Sequence, residues 1–279
     1  MISGSMGTRS RKARAQIMVM VNFEGIGLAS ILLEIVASTA DDCIAVESGG
    51  ADRIELCAAI ATGGLTPSLG TLIETKMRVR IPVMVMVRPR PGGFCYSDED
   101  LATMRRDAEL LLKHGADGIV FGILRSDGSL DRKRCEELLQ IADGMPTVFH
   151  RAFDVVPDPS RALDELIDLG FTRLLTSGQQ KTAVEGRELI RRLIEQAGSR
   201  IEVLAGGGVR AYNVRPFVEA TRCTQVHLTA FSAPSDVSTS ASCLSFGGVP
   251  GSPSGSYEHV DPEVVRRMRE TLDSINMAA

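Results

Sequence analysis

Residues 49–57, GGADRIELC, place charged groups and a thiol where the pattern predicts a buried strand. Successive side chains of a strand point to opposite faces, so Arg53, Glu55 and Cys57 share one face and the apolar residues between them share the other. A guanidinium and a carboxylate are costly to bury without partners. This face therefore predicts a metal site, a catalytic site or an unusual polar surface.

Further ionisable residues lie on other predicted strands. Glu34 is on the first strand, Arg88 on the third, His150 on the fifth and His227 on the eighth. If these strands close into a barrel, their charged groups must pair, and we expect them to pair with Glu55 in one place. Two carboxylates, two imidazoles and a guanidinium could perform general acid–base catalysis, because neighbouring charges separate their pKa values. A satisfied polar network that fixes the barrel geometry is the alternative.

A glycine run follows the seventh predicted strand. Gly206, Gly207 and Gly208 would let the backbone approach a ligand closely, and in barrels the loops after strands seven and eight often hold phosphate. Ser177, after the sixth strand, would add hydroxyl and amide donors. We therefore predict that these four residues bind an anion, with a simple tight turn as the alternative.

Eight apolar, β-branched runs alternate with amphipathic stretches along the chain, which predicts the elements that position these residues. The predicted strands are Leu32–Ser38, Asp52–Cys57, Pro82–Pro89, Gly118–Ile123, Thr147–Phe153, Arg173–Ser177, Ile201–Ala205 and Gln225–Ala230. The predicted helices are Ala40–Ser48, Ser68–Met77, Ser97–His114, Asp131–Ala142, Pro159–Leu169, Val184–Ala197, Ala211–Ala220 and Pro262–Ile275. Eight β-then-α units predict an α/β protein, a single-domain TIM (β/α)8 barrel whose active site lies at the carboxyl ends of the strands. A doubly wound sheet is the runner-up, but no GxGxxG follows the first strand.

The amino-acid composition limits the classes of partner that we expect. The chain has 279 residues, of which 44% are hydrophobic and 24% charged, with a net charge of −4 and a pI near 5.7. This balance suits one sizeable core and argues against nucleic-acid or anionic-membrane partners, which usually require a basic face. No run approaches the roughly 18 apolar residues of a membrane span.

The two ends of the chain depart from the repeating pattern. We predict that residues 1–30 form a disordered or tag-derived extension, with a targeting role as the alternative, because a basic stretch precedes only a short apolar run. Residues 31–279 form the predicted barrel. Within them, residues 231–260 are rich in Ser, Gly and Pro, which predicts a lid or a disordered loop.

The remaining soft or titratable residues have simpler interpretations. The six cysteines form no CxxC pair, which predicts reduced thiols in a cytoplasmic protein. His114 is predicted to end a helix, and His259 has no evident partner in the sequence. Met84 and Met86 alternate with valines and are predicted to lie in the barrel core.

Several motifs together resemble the copper homeostasis protein CutC family, in the same order from about Leu33 to Ala230. They are GGADRIELC, LTPS, PVMVMVRPRPGGFCYSDED, GADGIVFGIL, TVFHRAFD, LTSGQQKTAVEG and GGGVRAYNV. The resemblance implies a TIM barrel, a homo-oligomer in the cytoplasm, and binding of Cu(I) through cysteines.

The resemblance carries over only in part to the metal ligands. Copper-binding members read EVC on the first strand, where this chain has Val36, while their cysteine on the second strand matches Cys57. Cu(I) favours thiolate and thioether ligands, so Cys57 is the predicted metal ligand and needs another soft partner. Cys95, after the third strand, is the candidate by topology.

Three functions remain open from the sequence. The resemblance implies copper binding and copper homeostasis. The strand-end residues instead favour a barrel enzyme that acts by acid–base chemistry on a small anionic or phosphorylated metabolite. A non-catalytic scaffold with a structural polar mouth is the third, so whether the protein is an enzyme stays undecided at this point.

Overall fold

The structure, a computed structural model, describes residues 30–239, 244, 249, 251–252 and 255–276. Eight parallel strands pair in chain order, and the eighth pairs with the first to close a barrel. The predicted TIM barrel is confirmed. The strands are β1 (Leu32–Ala37), β2 (Arg53–Leu56), β3 (Val83–Met86), β4 (Gly118–Phe121), β5 (Thr147–Phe149), β6 (Arg173–Thr176), β7 (Glu202–Gly206) and β8 (Gln225–Leu228).

Most strands end earlier than the apolar pattern predicts. The largest difference is at β5, which ends at Phe149, because Arg151–Val155 form a 3-10 helix. The His150 carbonyl accepts the Phe153 amide at 3.1 Å, and its Nδ1 accepts the Ala152 amide at 3.1 Å. These two bonds turn the chain at the mouth of the barrel.

The helices follow the predicted order, and side-chain caps begin several of them. Thr39 and Ser97 each form a capping box with an aspartate three residues later, which satisfies amides of the first turn. The sixth helix begins at Arg187 rather than Val184, because Thr182 and Glu185 exchange hydrogen bonds in a turn before it. The helices are α1 (Ala40–Ser48), α2 (Leu69–Arg78), α3 (Asp98–Lys113), α4 (Arg132–Ala142), α5 (Pro159–Leu169), α6 (Arg187–Ala197), α7 (Val214–Thr221) and α8 (Pro262–Asn276).

The core has two layers, as the alternation of strand side chains requires. One set of side chains packs between the strands and the surrounding helices, and a smaller set fills the barrel. The predicted core positions Met84 and Met86 belong to the inner set. Its members are Val36, Cys57, Met84, Met86, Val120, Val148, Leu175 and Leu204.

The described parts of segment 231–260 are partly ordered against the barrel. Phe231–Ser232 (β9) pairs antiparallel with His259–Val260 (β10), so the ends of the segment are not the structureless loop that its composition suggests. His259, expected to lack a partner, lies 3.0 Å from Oδ1 of the buried Asp42 through its Nδ1. Much of the predicted lid lies outside the described residues, as do residues 1–29 of the predicted extension.

Two other predictions concern His114 and the oxidation state of the cysteines. His114 ends α3, and its Nδ1 lies 2.8 Å from the Leu110 carbonyl oxygen, as predicted. The cysteines at 43, 57, 95, 135 and 223 are free thiols. Within the described ranges, no helix is both long and apolar enough to cross a membrane.

Candidate functional site

Strand register brings two of the predicted site residues, Glu34 and His227, together with Arg53 inside the barrel. Glu34 pairs in register with Arg53 of β2 and with His227 of β8. Arg53 Nε donates to Glu34 Oε2, and His227 Nδ1 lies 2.8 Å from Glu34 Oε1. Both oxygens of Glu34, which is 1% exposed, are therefore occupied by neighbours on adjacent strands.

The network continues towards the amino ends of the strands. Gln225 Oε1 accepts from Arg53 Nη2 at 2.9 Å and from Arg173 Nε at 3.1 Å, and Arg173 Nε also donates to Glu202 at 2.7 Å. We call Glu34, Arg53, Arg173, Glu202 and Gln225 the floor network. The sequence prediction left four of them out of the site, although polar residues at the start of β2, β6, β7 and β8 were the available signal.

Burial and neighbouring charges together shift the pKa values of Glu34, Glu55 and His227. Burial alone would raise the pKa of Glu34, but Arg53 and His227 hold it well below its ordinary range. Burial raises the pKa of Glu55 to about 7, with His227 opposing and the Glu34 charge adding to the shift. Burial acts to lower the pKa of His227, yet Glu55 and Glu34 leave it raised. His227 Nε2 lies 3.8 Å from Glu55 Oε2.

Above the floor network a cavity of about 220 Å³ lies at the carboxyl ends of the strands. Four of the five predicted catalytic residues line it: Glu55, Arg88, His150 and His227. Glu34 lies beneath it and does not line it. The structure thus divides the predicted set, because Glu34 belongs to the floor network and the other four residues line the cavity.

Arg88 was expected to pair with a carboxylate, but its guanidinium donates to backbone carbonyls instead. Its Nη1 donates to the carbonyls of Gly64 at 2.9 Å and Thr62 at 3.2 Å, and its Nη2 donates to that of Gly92 at 2.8 Å. These carbonyls belong to the loops after β2 and β3, which the sequence did not relate to Arg88. Carbonyl oxygens hold the guanidinium in place without neutralising its charge.

His150 is also unpaired with the predicted carboxylates. The side chain is 4% exposed, and its Nδ1 accepts the Ala152 amide. Burial and the nearby charge of Arg88 lower the pKa of His150 from 6.5 to about 3, so the ring is neutral near pH 7. Because Nδ1 is an acceptor, the proton of the neutral ring is on Nε2.

One aromatic residue that the sequence prediction missed connects these two groups. Phe94 lines the cavity with its ring centroid 5.2 Å from Arg88 Cζ and 5.0 Å from the His150 ring centroid. The motif PGGFCYSDED held this residue, but its role depends on how the loop after β3 folds back over β5. Arg151 and Arg210, also unpredicted, line the cavity as well.

Two of the four predicted anion-binding residues, Ser177 and Gly206, do not line the cavity. The Ser177 hydroxyl lies 2.9 Å from Asp154 Oδ2 and 2.6 Å from the Gln180 carbonyl oxygen, and its amide donates to Asp154. Gly206 faces the barrel interior, where a Cβ would lie 2.7 Å from Leu175 Cδ1 and 3.2 Å from His227 Cβ. Neither residue lines the cavity, and anion binding by them stays a prediction.

The other two glycines do line the cavity. Gly207 and Gly208 have φ values of +105° and +73°, which non-glycine residues rarely adopt, so this turn requires glycine. A Cβ on Gly207 would lie 3.6 Å from Arg151 Cζ. Whether the turn binds an anion stays a prediction.

The soft side chains lie on the opposite wall. Cys57 and Met86 line the cavity, and a Cβ on Gly64 would lie 3.3 Å from Cys57 Sγ and 3.6 Å from Met86 Cε. Val36 lines the same cavity. The topological candidate Cys95 is exposed and does not line it, so the soft neighbour of Cys57 is the thioether of Met86.

Two donor sets could hold a metal ion. Glu34, Glu55 and His227 offer ligand atoms within 4.8 Å of one another, but Glu34 already accepts from Arg53. This oxygen and nitrogen set suits harder ions, whereas the thiol of Cys57 and the thioether of Met86 suit Cu(I).

Comparisons with a family model, with relatives and with a solved structure all indicate the same family. A model of the CutC family matches residues 31–232. A Treponema denticola protein described as a family protein CutC is 48% identical over 83% of this chain and 94% of its own length. The human copper homeostasis protein cutC homolog is 47% identical over 71% of this chain and 73% of its own length. A crystal structure of CutC from Streptococcus agalactiae superposes with a TM-score of 0.68 at 38% identity, covering 71% of this chain and 98% of that one.

Proposed function

The chain belongs to the CutC family, and from this premise we propose that the protein takes part in copper homeostasis by binding Cu(I) as cargo at the barrel mouth. Relatives from human and mouse are named copper homeostasis protein cutC homologs. Cys57 and Met86 are the proposed ligands.

The observation that carries the proposal is the shared position of the two sulfur side chains. Cys57 directly follows β2 and Met86 ends the neighbouring β3, and Cys57 Sγ and the Met86 methyl carbon lie 3.3 and 3.6 Å from the point that a Cβ on Gly64 would occupy. Thiolate and thioether sulfurs are the protein ligands that favour Cu(I) over harder ions. Val36 stands where family members with two cysteines have the second one, so here the thioether would replace a thiolate.

The protonation state of the Cys57 thiol should make Cu(I) binding at this site depend on pH. Burial, with the negative charge of Glu55 adding, raises the pKa of Cys57 well above its ordinary value. The thiol is therefore protonated at neutral pH, and Cu(I) must displace the proton to bind. Copper affinity should consequently rise with pH.

Competition for Cu(I) under anaerobic, reducing conditions tests the proposal. The wild-type protein is expected to retain Cu(I) stoichiometrically against a chromophoric chelator. Cys57→Ser should abolish retention, and Met86→Leu should weaken affinity by about tenfold or more, about 1.4 kcal/mol.

Two matched variants separate ligation from folding. Cys135→Ser changes another buried thiol, which donates to the Ile123 carbonyl in the outer core, and Met84→Leu changes the neighbouring inner-face methionine, which does not line the cavity. Both should retain copper like the wild type. The proposal fails if the chelator removes all copper from the wild type, or if Cys57→Ser retains it equally well.

We also propose, from the family resemblance, that the protein acts in the cytoplasm as a homo-oligomer. The absence of CxxC spacing supports reduced thiols. Light scattering on the purified chain tests the assembly, since a monomer at every concentration would contradict it. Fluorescent fusion to the full chain tests the location.

A further inference from the structure

Three buried polar atoms at the barrel mouth have no hydrogen-bond partner among the described residues. They are Glu55 Oε1, Arg88 Nε and His150 Nε2, and each of these residues is 4% exposed. All three side chains line the same cavity. Buried polar atoms are bonded in the great majority of cases, and an unbonded one costs about 1–3 kcal/mol. Three around one cavity indicate that a polar ligand completes their bonding.

Two of these atoms are hydrogen-bond donors held in fixed orientations. The Arg88 guanidinium donates to three backbone carbonyls through its other nitrogens, and its Nε–H has no acceptor in hydrogen-bond geometry among the described residues, although the Tyr96 hydroxyl lies near enough for the Arg88 charge to oppose the burial that raises the Tyr96 pKa. His150 presents Nε2–H, because the Ala152 amide occupies Nδ1. Phe94 packs against both groups. An oxygen with negative charge is the complement of such donors.

The surrounding charge favours the same ligand. Arg210 donates to the Val209 carbonyl at 2.7 Å and the Thr229 hydroxyl at 3.2 Å, and no ion pair with a carboxylate is seen for it within the described ranges. Arg151 pairs with Asp154 at 2.8 Å. Three guanidiniums and the Glu55 carboxyl therefore line the cavity, and in the described part of the chain only Arg151 of these guanidiniums has a carboxylate partner, so positive charge is in excess around the cavity.

The third atom, Glu55 Oε1, is a hydrogen-bond acceptor when the carboxyl is ionised. It lies in a cavity that is otherwise lined by apolar side chains and donors, so a ligand that held only oxyanion groups would leave it unbonded. A hydroxyl group on the ligand would satisfy it.

We propose that the cavity binds a small organic anion that carries a carboxylate or phosphate group together with a hydroxyl group. Arg88 and His150 hold the oxyanion, and Glu55 accepts the hydroxyl hydrogen bond. Binding of this kind is the first requirement of the acid–base enzyme that the sequence left open. This anion site is distinct from the proposed copper site, because Arg88, His150 and Glu55 bind the anion whereas sulfur atoms bind Cu(I).

Calorimetric titration of copper-free protein at one fixed pH tests the proposal, so the result does not depend on the copper site. The probes are glycerol 3-phosphate, D-glycerate, inorganic phosphate and glycerol. At least one of the two probes with both groups should bind about tenfold more tightly than inorganic phosphate, about 1.4 kcal/mol. Comparison of glycerol 3-phosphate with D-glycerate decides between phosphate and carboxylate.

Conservative variants assign the binding to the three atoms. Arg88→Lys should weaken the best probe by about tenfold or more, whereas Arg90→Lys, in the same loop but paired with Asp100, should not. Glu55→Gln should reduce the preference over inorganic phosphate, whereas Glu202→Gln at the other end of the barrel should not. Circular dichroism checks that each variant is folded.

Three outcomes would overturn the proposal. The first is that no probe binds at millimolar concentration. The second is that inorganic phosphate binds as tightly as both two-group probes, which would indicate an adventitious ion only. The third is that the folded Arg88→Lys variant binds like the wild type.

Discussion

The two ends of the barrel interior use the same kinds of side chain in opposite ways. In the floor network, Glu34 accepts from Arg53 and His227, and Gln225 joins Arg53 to Arg173. Within it, Arg173 Nη1 is the only buried atom described without a partner. At the mouth, Glu55, Arg88 and His150 each leave one buried atom unbonded around a cavity.

This difference distinguishes polar residues that stabilise the fold from polar residues that are available to bind a ligand. A paired buried network holds neighbouring strands in register but becomes costly when one partner is removed. Unbonded atoms around a cavity cost stability in the free protein, and a ligand can recover that cost. Substitution in the floor network should therefore lower stability much more than substitution at the mouth.

Loss of a floor charge is expected to have the largest effect. Glu34→Gln leaves Arg53 buried without its carboxylate, so we expect the free energy of unfolding to fall by about 3–5 kcal/mol. Glu202→Gln, whose side chain is 52% exposed, should cost less than about 1 kcal/mol. Urea denaturation measures both. Similar losses in the two variants would contradict a buried, paired floor.

Acid should weaken the fold through His150. Its pKa is about 3 in the fold and 6.5 ordinarily, so between these values the unfolded chain binds a proton that the folded protein does not. Stability should therefore fall as pH falls from 6.5 to 3, by up to about 1.4 kcal/mol per pH unit. Burial contributes most to this lowered pKa, the Arg88 charge adds to it, and the Asp154 charge opposes it.

Denaturation across this pH range, compared with His150→Gln, isolates the His150 contribution. The variant should have a shallower slope, whereas His114→Gln at the exposed end of α3 should keep the wild-type slope. An unchanged slope in His150→Gln would show that the ring is not held neutral.

A glutamate-to-glutamine substitution at the mouth should have little effect on stability, unlike the same substitution in the floor network. Glu55→Gln should alter the free energy of unfolding by less than about 1 kcal/mol, because Oε1 has no partner to lose and Oε2, 3.8 Å from His227 Nε2, lies beyond hydrogen-bond distance. Urea denaturation beside Glu34→Gln measures the contrast directly. A loss as large as that of Glu34→Gln would place Glu55 in the paired structure.

The smallest effect is expected outside both regions. Cys95→Ser should leave retained Cu(I) unchanged, since Cys95 is exposed and away from the cavity. The same chelator competition that tests Cys57→Ser measures it. Loss of copper in Cys95→Ser would transfer the proposed ligand from Met86 to Cys95.

The sequence predicted the fold because its signals are local. Eight apolar runs with helical stretches between them give the strand and helix order, and alternation gives the inner face of β2, including Glu55 and Cys57. Strand ends were less accurate, since a 3-10 turn such as Arg151–Val155 depends on the hydrogen bonds of one histidine. The same alternation marked Met86 as inner core but could not distinguish packing from ligation.

The sequence by itself determined the barrel, the family resemblance and the end of the barrel at which chemistry could occur. Only the tertiary structure decided which polar residues are paired. Arg88 is held by carbonyls of two other loops, Ser177 is occupied by Asp154, and Glu34 belongs to the floor. Register and loop folding set these partners across long sequence separations, and whether a buried charge is satisfied depends on atoms that its own segment does not contain.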